Sequence, residues 1–130
     1  MIERNYFLLI ASVSGMLAVI LGAFGAHGLE NYLDTKMLQR FHTGVEYQFY
    51  HSLALLMISI LYKQISNRYL RYAGYAFLLG IVLFSGSLYL YVLTGNKGFA
   101  MVTPLGGLSF IVGWALLAFS ARNFTHSEKI

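Results

Sequence analysis

Residues 22–29 read GAFGAHGL. They close a long apolar run, and His27 stands where that run stops, shortly before Glu30. Upstream, Ala11, Gly15, Ala18, Gly22 and Ala26 recur at spacings of four, three, four and four, which places them on one helical face. Between helices in lipid there is little hydrophobic drive, so close backbone approach and dispersion supply the association. A stripe of small residues permits that approach. The stretch therefore predicts a membrane-crossing helix that packs by its small face and leaves the apolar layer at His27.

The rest of the chain repeats the pattern. Only 11% of the 130 residues are charged, against about 25% in a soluble domain, and the charges are spaced unevenly. Residues 5–29, 47–62, 72–96 and 98–121 contain no Asp, Glu, Lys or Arg. Three of these runs exceed the roughly 20 residues that cross a bilayer core. The second is shorter and needs Lys63 to snorkel or Glu46 to sit at the boundary. The reading is a single all-α integral membrane domain, an up-and-down bundle of four transmembrane helices over residues 6–26, 45–62, 72–93 and 103–121. The first run is too long for the apolar part of a signal peptide, about 7–15 residues, and is expected to remain in the protein.

Between the first two spans, Leu29, Tyr32, Leu33, Met37 and Phe41 recur at helical spacing with charges elsewhere on the wheel. This predicts a short amphipathic helix between helices 1 and 2, lying at the outer interface or leading directly into helix 2, with Asp34 or Thr35 as its cap. Residues 94–98 hold two glycines and form a tight turn. Thr103 is a cap candidate before Pro104 in a first helical turn, and the polar tail after residue 121 is expected to fray.

Four spans put both termini on the side of the second connection. Arg4, Lys63, Arg68, Arg71, Arg122 and Lys129 lie there, against Lys36, Arg40 and Lys97 on the other side. By the positive-inside rule the termini are expected in the cytoplasm. With the basic residues gathered at helix ends, the net charge of +4 is a topology signal, and no nucleic-acid partner is expected. The absence of cysteine excludes disulfides, thiolate metal sites and cysteine nucleophiles.

The four blocks GAFGAHGL (22–29), EYQFYH (46–51), LFSGSLY (83–89) and TPLGGLSFIVGW (103–114) together resemble the small membrane family called domain of unknown function 423, to which a eukaryotic transmembrane protein 256 group is similar. The resemblance covers nearly the whole chain. It implies a four-helix integral membrane protein with no enzymatic reaction attached to the family. His27, Tyr47, Gln48, His51, Ser85, Ser87, Thr103 and Pro104 match the family's blocks.

Independently of family, this topology gathers His27, Tyr47, Gln48, His51, Ser85, Ser87 and Thr103 into one cluster beneath the outer face. The plainest role is a hydrogen-bonded network knitting helix ends together. Three others stay open. One is a lipid or small-ligand pocket, another is haem or metal ligation by His27 and His51, and the third is ion or proton translocation by an oligomer. A relay is weakened because no carboxylate lies deeper than Glu46. Neither GxSxG nor HExxH occurs, and no buried Asp orients a Ser–His pair, so catalysis is not expected. The expected protein is non-enzymatic, without cofactor or metal. Its role is accessory or scaffolding, in contact with the bilayer and with either a second copy or another membrane protein.

Overall fold

A computed structural model describes residues 2–65 and 67–127. Among them the chain is all-α. Helix α1 runs Ile2–Leu29 and α3 runs Arg68–Thr94; α2 runs Thr35–Gln64 and α4 Thr103–Ser127. Ile2–Leu29, Arg68–Thr94 and Lys97–Arg122 are long and apolar enough to cross a membrane. Helix α2 is equally long but more polar.

The bounds correct three expectations. No separate amphipathic helix lies between α1 and α2, because the amphipathic segment forms the first turns of α2 itself. Its start is set by Asp34, whose carboxylate accepts from the Met37 N–H at 2.8 Å and satisfies one of the helix's free donors. The tail does not fray at residue 122, since α4 continues to Ser127; residues 128–130 lie outside the described set. Thr103 is the first residue of α4 rather than its cap, and its hydroxyl is used elsewhere. Between α3 and α4, Gly95 takes φ 70°, a left-handed conformation that glycine adopts without steric cost. It ends α3 by donating to Tyr91 O at 2.7 Å. Asn96 then caps a one-turn helix, Lys97–Ala100.

The extensive pairings are α1 with α2, α2 with α3, and α3 with α4. The small-residue faces lie in these seams. On α1, Ala11 and Ala18 are buried, and a methyl added at Gly22 would sit 3.0 Å from Val45. On α4 the approach is closer: a Cβ at Gly106 would stand 2.3 Å from the Phe84 backbone nitrogen. Phe7, Leu55, Ile58, Leu70, Phe77 and Phe110 fill the centre. Lateral side-chain contacts brace it, with Phe7 edge-on to Tyr75 at 5.3 Å.

Two π-helical turns, Leu21–Gly25 in α1 and Ile81–Ser85 in α3, interrupt the α geometry. Ala26 N–H reaches Leu21 O, and Gly86 N–H reaches Ile81 O. Each turn widens the helix by one residue. The turn in α3 carries Phe84 against Gly106 and aims Ser85 at α2.

Candidate functional site

Helix α2 carries Gln48, His51, Ser52 and Ser59 among the buried polar residues, and they face two sides. Toward α1 and α3, Gln48 donates through Nε2 to Ser14 O at 2.8 Å and accepts at Oε1 from the Tyr89 hydroxyl at 2.6 Å. Ser52 Oγ lies 2.7 Å from Ser14 Oγ and 2.6 Å from Gln48 O. Gln48 thus ties three helices together at one level.

Toward α4, His51 is almost fully buried. Its Nδ1 lies 2.8 Å from Tyr47 O. A carbonyl only accepts, so Nδ1 carries the proton. Trp114 Nε1–H donates to the other nitrogen, Nε2, at 3.1 Å. The imidazole is therefore the neutral Nδ1–H tautomer with both nitrogens engaged. It stacks on Phe110, with centroids 3.6 Å apart and planes 9° from parallel. Tyr47 contributes its carbonyl to His51 and its ring to Phe84, at 4.7 Å.

Two further bonds join helices outward of this level. Ser85 donates to Gly44 O at 2.6 Å, and the Ser87 and Thr103 hydroxyls meet at 2.5 Å. A polar group in an apolar interior must find a protein partner, and these side chains do.

The expected single cluster beneath the outer face is not what forms. His27 stands apart at the end of α1, exposed, with Nδ1 3.6 Å from Glu30 Oε1. Gly22 packs beside Val45; His27 lies five residues outward of that contact and His51 six residues inward. At 1.5 Å per residue the two imidazoles differ in height by about 16 Å. No haem or metal bridges such a pair, and His51 has no free nitrogen to offer. Among the described residues no group of three or more His, Cys, Asp or Glu side chains gathers to hold a metal. Gln48 and His51 lie on different sides of α2, while the Ser85 and Ser87–Thr103 bonds form separate clasps. Ser14, Tyr89, Phe110 and Trp114 complete these sites and were not singled out as site residues. Ser14 had a signal, since it falls three residues from Ala11 and four from Ala18 on the packing face.

Two concavities border these groups. A groove of about 540 Å³ runs beside His51 between α2 and α4, past Phe84, Gly107 and Trp114. Another, of about 570 Å³, lies between α1 and α3 over Gln48.

Long apolar helices around an interior whose Gln48, His51, Ser52 and Ser85 side chains are hydrogen-bonded define a small helical membrane protein. The chain belongs to the DUF423 family of proteins of unknown function, whose model matches residues 21–107. It is 43% identical over 119 residues to the UPF0382 membrane protein YwdK of Bacillus subtilis, covering 91% of this chain and 97% of that one. It is 38% identical over 118 residues to a UPF0382 membrane protein of Haemophilus influenzae, covering 91% and 94%. It is 40% identical over 117 residues to the UPF0382 inner membrane protein YgdD of Escherichia coli, covering 90% and 89%. No solved structure matches the chain.

Proposed function

We propose that this is a four-span, non-enzymatic protein of the bacterial cytoplasmic membrane, with both termini cytoplasmic, acting as an accessory or scaffold protein. The observation that carries the reading is the division of α2. Its polar side chains Gln48, His51, Ser52 and Ser59 are buried, whereas Leu53, Met57 and Ile60 are half or more exposed. From Gln48 inward the helix satisfies its polarity internally and offers lipid an apolar surface, while exposed Glu46 stands at the boundary, so its polarity is no bar to its being the fourth span. Basic residues supply the orientation: Arg4, Lys63, Arg68, Arg71 and Arg122 lie at the end that holds the termini. The name of the E. coli relative supports the inner membrane.

The non-enzymatic reading rests on the engagement of His51, the one deeply buried imidazole among the described residues. His51 already accepts from Trp114, and a general base needs that lone pair free. What remains available to a partner is the apolar exterior. Photo-crosslinkers at Leu53 and Met57 in native membranes test the scaffold role. It is supported by a discrete adduct with a second copy or another membrane protein, and contradicted by adducts to lipid alone.

A further inference from the structure

We propose that the groove between α2 and α4 holds one glycerophospholipid of the outer leaflet, with its phosphate on Arg40 and an acyl chain lying toward Trp114. The proposal rests on α2 being the fourth span, which cysteine labelling of the loops tests separately.

At the outer end of the groove is a pocket of about 330 Å³ between α2, α3 and α4, lined by Arg40, Leu88, Tyr91 and Thr103 among others. Arg40 is held there with its guanidinium over the Tyr91 ring, 5.2 Å from the centroid, and one nitrogen 3.6 Å from Met37 Sδ. Among the described residues no carboxylate pairs with it. A guanidinium presents five donors in a planar fork suited to phosphate oxygens. Arg40 stands one turn inside the start of α2 and one turn before the end of α3, which with α2 as the fourth span puts it at the outer boundary of the hydrocarbon core, beside the headgroups.

The pocket does not end at the headgroup level. It shares Phe84 and Pro104 with the 540 Å³ groove, which continues along α4 to Trp114. From Thr103 to Trp114 is eleven residues, about 16 Å of helix, close to half of the roughly 30 Å hydrocarbon core. The cationic pocket and apolar groove together match one leaflet's lipid in length and in polarity. Gly107 keeps the groove open: a Cβ there meets only the Phe84 ring, at 3.8 Å, so a larger side chain would occupy the path of the acyl chain without striking backbone.

Trp114 is the single tryptophan and reports on the groove directly. The full chain in detergent is titrated with phosphatidylglycerol brominated at mid-chain, and Trp114 fluorescence is followed. The proposal expects saturable quenching at one lipid per chain. Arg40→Gln, at an exposed position, should raise the midpoint about tenfold, the worth of one charge-assisted hydrogen bond. Brominated diacylglycerol, which lacks the phosphate, should bind the wild type about as weakly, and Gly107→Leu should abolish the saturable phase. Excess inorganic phosphate should not displace the lipid. Quenching that rises linearly without saturation, an unchanged midpoint in Arg40→Gln, or displacement by inorganic phosphate would each overturn the proposal.

Discussion

Trp114 donates its indole N–H to His51 across the α2–α4 seam, at 3.1 Å. This bond uses the one imidazole nitrogen that Tyr47 O leaves open, and it joins two helices that are not among the extensively paired neighbours. Trp114→Phe keeps an aromatic ring against Phe77 but orphans the His51 acceptor. The expected loss is about 1–2 kcal/mol, read by SDS titration of the protein in mixed micelles. In ¹⁵N-histidine NMR the wild type should show the Nδ1–H tautomer for His51 at neutral pH.

Gln48 and Tyr89 act as a pair. Removing either leaves the other's polar atom facing an apolar seam, so Gln48→Leu and Tyr89→Phe should each cost roughly 0.6–2 kcal/mol. The double variant should lose less than the sum of the two, because each single change already breaks the shared bond. Strict additivity in the same titration would show that the bond contributes nothing.

Adjacent glycines on α4 should respond differently. Gly106→Ala drives a methyl into the Phe84 backbone, 2.3 Å from its nitrogen, which has little room to yield. About 1–3 kcal/mol of stability should be lost. Gly107→Ala meets only a ring at ordinary contact distance and should stay within about 0.5 kcal/mol.

Asp34→Ala removes the side-chain acceptor for Met37 N–H. About 1 kcal/mol should be lost, and hydrogen exchange should quicken at the first turn of α2 while the core amides near Leu55 keep their protection.

Helix existence and the packing faces were legible in the sequence. Charge-free runs mark the three long apolar helices, and the Ala and Gly spacing on α1 marks the surface that meets α2. Depth was not legible for the polar residues. Lys36 and Arg40 read as charges on an amphipathic helix ahead of the second span, so that span was expected to begin at residue 45. Asp34 caps it ten residues earlier, which moves His51 about 15 Å further into the helix. That shift dissolves the expected outer cluster and leaves His27 alone at the surface. The π-helical turns at Leu21–Gly25 and Ile81–Ser85 carry no sequence pattern of their own. The Trp114 bond depends on side chains reaching between α2 and α4, a relation that spacing within one helix does not encode.

The central claim is that α2 crosses the membrane with its polar residues turned inward, making four spans. The chain has no cysteine, so single cysteines can be placed without background at Ile2, Thr35, Ile65 and Asn96 and probed with a membrane-impermeant maleimide in intact and opened cells. The account predicts that Thr35 and Asn96 label from outside intact cells, and that Ile2 and Ile65 label only once the membrane is opened. Labelling of Thr35 and Ile65 from the same side would mean that α2 does not cross, and would contradict it.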